Sequence, residues 1–198
     1  MSLATRLLNA NPGAQVSSAL TGALTTPSAK GAFAFSDFES IATVSVGAGG
    51  ATNIEFTSIP ATYTHLQIRG IGRTTSDDDF RIQINGDTGA NYARHLLTAS
   101  GTSVVAGNVT SDTKGSIGTT TSTANTFVGY VIDILDYANT NKYKTVRSLG
   151  GFDANGSGYI TFDSSLWMNT NAITSIKIYG QSYNFTNYSS FALYGIKG

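Results

Sequence analysis

The chain contains no cysteine, so it has no disulfide framework, no thiol nucleophile and no cysteine-based metal site. Charged residues make up only 12% of its 198 residues, and 12 Lys and Arg balance 12 Asp and Glu. A protein that neutralises many phosphates needs clustered Lys and Arg, which argues against nucleic acid as a partner. No run approaches the roughly 18 apolar residues of a membrane helix, and the first residues include no apolar signal segment. The sequence therefore predicts a protein made in a cytoplasm, with no membrane partner and no encoded export signal.

Alternation of apolar and polar residues starts near residue 37 and is typical of half-buried antiparallel strands. In DFRIQIN, Phe80, Ile82 and Ile84 share one phase, and we expect them to face the interior. Arg81 and Gln83 occupy the other phase, where we expect solvent exposure and tolerance of alanine.

Further segments show the same period. Leu66 and Ile68 alternate with polar neighbours, whereas TFVGYVIDIL (126–135) is apolar on both phases, which predicts a central strand covered on both sides. Other strand candidates are 40–46, 52–56, 144–152, 173–180 and 189–197, separated by turn clusters rich in Gly and Asn. Many short strands and no helical stripe predict an all-β fold, an antiparallel jelly-roll-like β-sandwich of about eight to ten strands over residues 37–198.

Residues 1–36 differ from the rest, being small, polar and rich in Ala, Ser and Thr. Such a segment is too poor in large apolar groups to form a core of its own. We interpret it as an N-terminal arm that packs either on its own domain or, as we prefer, on neighbouring subunits. Leu3, Leu7 and Leu8 are the predicted partner-binding anchors.

The stretch DANGSGYITFDS (153–164) has the spacing of a calcium-binding EF-hand loop. Its twelfth position is Ser164 instead of the required bidentate Glu, and no helix flanks it. Asn155-Gly156 between two alternating runs is instead a strong hairpin signal, because both residues tolerate positive φ. We therefore predict a β-hairpin here.

Candidate catalytic residues are few. His65 and His95 have neither metal-ligand spacing nor a nucleophile-elbow partner, and the only glutamates are Glu39 and Glu55. The acidic run at 76–80 is interpreted as a solvated loop, and Trp167 as a core residue. The sequence thus predicts no catalytic, cofactor-binding or metal-ligating residue, and we do not expect an enzyme.

Five ordered blocks stand out between about residues 38 and 198. They are FTSIPATYTHLQIRGIGR (56–73), IQINGDTGANYARHLL (83–97), DYANTNKYKTVRSLGG (136–151), SSLWMNTNAITSIKIYG (164–180) and SSFALYGIKG (189–198). Together these blocks resemble a family of β-sandwich virion structural proteins of tailed bacteriophages. The resemblance implies a β-sandwich with a structural role and supplies no catalytic motif, and it does not cover the arm.

The resulting expectation is a phage virion structural protein, specifically a capsid decoration or cement protein attached through its N-terminal arm. The alternative is a short tail-fibre or receptor-binding module that contacts host surface glycan through exposed tyrosines. In either case the expected partners are other virion proteins, the major capsid or tail protein, and the expected location is the virion. Low, balanced charge also favours a homo-oligomer, for which we predict a trimer.

Overall fold

The computed structural model describes residues 37–198, and this part of the chain consists of strands joined by turns and loops, with no helix. Within it, no helix is long and apolar enough to cross a membrane. The twelve strands are β1 (Phe38–Ser45), β2 (Asn53–Phe56), β3 (His65–Gly72), β4 (Asp79–Ile84), β5 (Tyr92–Ser100), β6 (Ser103–Asp112), β7 (Gly115–Thr119), β8 (Val128–Ile134), β9 (Lys144–Asp153), β10 (Gly158–Trp167), β11 (Ile176–Gly180) and β12 (Ser190–Ile196).

The strands form two antiparallel sheets of unequal width, which confirms the predicted β-sandwich. The large sheet has the order β1-β12-β3-β8-β9-β10-β5-β6, and the small sheet has the order β2-β11-β4-β7. There are twelve strands where eight to ten were expected. The large sheet has eight strands and the small sheet has four, half as many.

The core lies between the sheets and is made of the inward phase of each strand. Phe80, Ile82 and Ile84 are fully buried, as predicted from the alternation in β4. Phe80 stacks on Phe185 with ring centroids 4.7 Å apart, and Phe191 meets both rings edge to face. This aromatic cluster joins the small sheet to the large one.

The stretch at 153–164 is a hairpin, as predicted. Asp153 pairs with Gly158, and the Ala154 N–H donates to the Ser157 carbonyl over 2.7 Å. Asn155 and Gly156 have φ of 56° and 103°, the conformation that a two-residue primed turn requires.

Two exposure predictions are wrong. Arg81 and Gln83 were expected to face solvent, but Gln83 is buried and the Arg81 side chain is only 11% exposed. Strand β4 lies between β11 and β7, so residues of neighbouring strands flank both side chains, and Arg81 also pairs with Asp79. The segment 126–135 was expected to be covered on both sides. Instead only one phase of β8 is buried, and Val131 on the other phase is 39% exposed.

Strands β5, β6 and β7 were missed by the periodicity analysis. Strand β6 carries no alternation because both of its faces are exposed, and β7 is a Gly- and Ser-rich segment buried on both faces. Neither pattern has the period-two signal on which the prediction depended.

A matched pair of substitutions on β8 tests whether only one face of the large sheet is buried. Ile132→Thr should lower the free energy of unfolding by more than about 2 kcal/mol, because it leaves a cavity and buries a hydroxyl. Val131→Thr keeps a β-branched shape on the exposed face and should change it by no more than about 0.5 kcal/mol. Urea denaturation measures both, and equal losses would mean that β8 is covered on both faces.

Candidate interaction surface

The outer face of the large sheet carries an apolar band at one end. The band follows two cross-strand rows, and its side chains are 39 to 67% exposed. Pairing across the strands brings them side by side, from Val131 to Leu149, then to Phe162 and Leu97. The complete apolar band is Ile71, Leu97, Val104, Val131, Leu149, Ile160 and Phe162.

Paired glycines open a depression inside the apolar band. Gly129 lies directly opposite Gly151 on the neighbouring strand. A methyl group built on Gly129 would meet no atom within 4 Å. The bare backbone forms the floor and Ile71, Val131 and Ile160 rise around it, giving an open depression of about 800 Å³. Its shape and apolar walls suit protruding apolar side chains of another protein.

The opposite end of the same face is polar and internally hydrogen-bonded. Gln67 Nε2 donates to Asp133 Oδ1 over 2.7 Å, and Arg69 Nε donates to Gln67 Oε1 over 2.7 Å. The Arg69 guanidinium also lies over the Phe38 ring, 5.6 Å from its centroid. These polar groups already have partners within the chain, whereas the apolar band is left in contact with water.

A second notable feature is a partly buried ionic cluster formed by β4, β5 and β10. Asp79 Oδ2 lies 3.3 Å from Arg94 Nη1 and 3.4 Å from Arg81 Nη2. Asp163 Oδ1 lies 3.9 Å from Arg94 Nη1, and among the described residues it accepts no hydrogen bond. Burial raises the pKa of Asp163 to about 6, against the opposing attraction of Arg94.

Lys144 is another buried charge, held by backbone groups. Its side chain is fully buried, and Nζ donates to the carbonyls of Asn139, Lys142 and Thr170 over 2.5, 2.8 and 3.1 Å. Burial lowers the pKa of Lys144, and the nearby positive charge of Lys142 adds to this effect. The three bonds tie together the loops on both sides of the β9–β10 pair, which is a structural role.

Most of the residues that the sequence singled out for possible chemistry make hydrogen bonds within their own chain. Trp167 is buried, as predicted, and Nε1 donates to Asp87 Oδ2 over 2.7 Å. His65 Nδ1 accepts the Asp136 N–H over 3.0 Å, while His95 is exposed. Glu39 accepts the Tyr63 hydroxyl over 2.9 Å.

The acidic run at 76–80 is more ordered than the predicted solvated loop. Asp77 accepts the Ser122 N–H over 2.5 Å, Asp78 exchanges bonds with Thr120, and Asp79 belongs to the ionic cluster. In residues 37–198 no group of three or more His, Asp or Glu side chains is placed to hold a metal ion.

Leu3, Leu7 and Leu8, and the arm that contains them, lie outside the described residues, so their role stays a prediction. The apolar band was not predicted, although the sequence contained a signal for it. Segment 126–135 is apolar on both phases, and its outward phase supplies Val131. An apolar residue on the second phase predicted a covering layer, whereas among the described residues Val131 remains 39% exposed.

The raised pKa of Asp163 predicts that the free energy of unfolding depends on pH. Between about pH 4 and 6 the folded state keeps a proton that the unfolded state has released, so the free energy of unfolding falls as pH rises through this window. Asp163→Asn cannot ionise and should lack this contribution. From pH 4.5 to 7.5 the wild type should therefore lose about 2 kcal/mol relative to the variant, measured by urea denaturation at both pH values. If the free energies of unfolding of the two proteins changed equally with pH, the ionisation of Asp163 would not destabilise the fold.

No protein-family model, no curated protein and no solved structure matches the chain.

Proposed function

We propose that the protein is a structural component of a tailed-phage virion, and specifically a capsid decoration or cement protein. The observation that carries the proposal is the apolar band, because contiguous exposed apolar surface on a folded domain marks a protein-binding site. The five sequence blocks that resemble phage virion proteins support the choice of particle. The major capsid protein is the proposed partner.

The strand order supports a jelly-roll arrangement, which is frequent among viral capsid domains. When the hairpins β5–β6 and β9–β10 are set aside, eight strands remain. Four lie in the order β1-β12-β3-β8 and four in the order β2-β11-β4-β7. Successive strands thus exchange sheets repeatedly, as two wrapped Greek keys do. The two hairpins extend one sheet only, and they supply five of the seven residues of the apolar band. A fold does not fix a function, so this order adds weight only together with the apolar surface.

Attachment is proposed to use two elements, the arm and the apolar band. The arm supplies Leu3, Leu7 and Leu8, and burying a leucine contributes roughly 1.5–3 kcal/mol. The band supplies a broader and shallower contact. Two weak contacts on one chain bind more tightly than either alone, since the second forms within an already bound molecule.

The arm is tested in the full chain by changing Leu3, Leu7 and Leu8 together to Ser. Particles that lack the protein should bind the wild type and lose most binding of the variant, because three apolar anchors are removed. The variant should keep the circular dichroism and unfolding midpoint of the wild type. Full occupancy by the folded variant would mean that the arm does not anchor the protein.

The apolar band is tested by Leu149→Glu, with His95→Glu as the matched control on the polar end of the same face. Both side chains are exposed, so neither change should unfold the sandwich. Leu149→Glu should weaken binding to particles at least about tenfold, because docking would bury an unpaired carboxylate. His95→Glu should bind like the wild type. Equal binding by both variants would exclude the band as the contact surface.

The second candidate is a short tail-fibre or receptor-binding module that contacts glycan. Tyr188 favours it, because the residue is 75% exposed and its φ of 71° is unusual for a bulky residue. Tyr143 is also more than half exposed. A density map of the virion separates the candidates. Density spread over the shell supports decoration, and density confined to the tail supports the module.

A further inference from the structure

Strand β6 ends the large sheet and is exposed on both faces. Among residues 37–198 it pairs with β5 alone, so the backbone N–H and C=O groups of its other edge face outward. Val104 and Val105 point to opposite faces, and they are 67% and 58% exposed. The hairpin β5–β6 therefore offers apolar side chains above and below an open strand edge.

From Ser103 to Val109 the edge of β6 lacks the usual protections of an edge strand, and its bulge and its charged residue, Asp112, lie beyond this segment. Natural edges are kept from pairing by charges, prolines, bulges or short length. From Leu96 to Ser111 the sequence has no charged residue and no proline, and β6 is ten residues long. The bulge opposite Tyr92 and Arg94 leaves Ser103 to Val109 in regular register.

The other described sheet edges carry at least one of these protections. Strand β1 has a bulge near Ile41 and carries Glu39, which pairs with Lys197. Strand β2 is four residues long and includes Glu55, and β7 is five residues long and largely buried. In β1 the bulge leaves only Ala42 to Ser45 in regular register, so a regular, uncharged edge as long as Ser103–Val109 is particular to β6 within the part of the chain that the structure describes.

We propose that β6 pairs with β6 of a second copy of the chain, antiparallel about a twofold axis. The free backbone groups require a β-strand as the occupant. In a twofold pair each segment faces itself, so any charge near the centre would face a like charge. The neutral stretch from Leu96 to Ser111 meets this condition, and Ala106 and Gly107 in the middle leave room for close approach.

The pairing joins two large sheets into one continuous sheet of sixteen strands, twice the eight of each copy. The twofold axis between antiparallel neighbours runs normal to the sheet. The apolar bands of both copies therefore lie on the same side of the joined sheet. The dimer therefore presents one apolar surface of double width. The pairing of β6 with β6 does not require that the partner of this surface be known.

Sedimentation measurements on the wild-type chain, and separately on two lysine variants, test the pairing. Ala106→Lys places two positive charges close to the proposed axis and should raise the dimer dissociation constant at least about tenfold. Thr43→Lys puts the same charge on the exposed edge of β1 and should leave the dimer unchanged. Circular dichroism should be that of the wild type for both. A wild-type monomer or trimer, or a dimer unaffected by Ala106→Lys, would overturn the proposal.

Disulfide cross-linking locates the axis independently. The chain has no cysteine, so any cross-link in a single-cysteine variant joins two copies at the introduced position. Cysteines placed one at a time from Ser103 to Asn108 should cross-link most efficiently at one position and less on either side of it. Cysteine at Thr43 should not cross-link. Uniform or absent cross-linking along β6 would contradict a twofold β6–β6 pair. The trimer expected from general symmetry would require a different surface.

Discussion

The packing of an eight-stranded sheet against a four-stranded one is the constraint on which the structure depends. A strand has two faces, and each face of a sheet must be covered by protein or tolerate water. The small sheet covers the inward phase of the large sheet around Phe80, Phe185 and Phe191. It leaves the outward phase uncovered, and at the β5–β6 end it leaves both phases uncovered. The apolar band and the open edge both follow from this mismatch in width.

The two hairpins determine where the mismatch lies. Hairpins β5–β6 and β9–β10 extend the large sheet beyond the strands that the two sheets exchange. In the hairpin β9–β10 the turn is specified by its own residues, because Asn155 and Gly156 adopt the positive φ that a tight hairpin turn needs. Their outward residues supply Leu149, Phe162 and Leu97, the centre of the apolar band. The surface proposed to bind partners is thus built on regular strands, which hold side chains more precisely than loops do.

Charged groups with little exposure to water lie at two junctions, one between strands of the two sheets and one between two loops. Asp79 and Arg94 come from different sheets and are brought within 3.3 Å, with Asp163 beside them. Lys144 satisfies three carbonyls of two loops. A buried ion pair adds little net stability, but removing one partner leaves an uncompensated charge, so such groups favour a single arrangement of the strands. Ordered strands at this junction in turn position the β5–β6 hairpin.

The sequence by itself determined the features that depend on neighbouring residues. Alternation placed Phe80, Ile82 and Ile84 inside, Asn155-Gly156 specified a turn, and many short strands indicated a β-sandwich. Tertiary structure alone decided what covers each outward phase, because that depends on which strands become neighbours across long stretches of chain. Arg81 lies on the polar phase yet is only 11% exposed and pairs with Asp79 of its own strand, whereas Val131 is apolar yet remains exposed. Strand β6 escaped prediction for the same reason, since an exposed strand has no buried face to impose a period on its sequence.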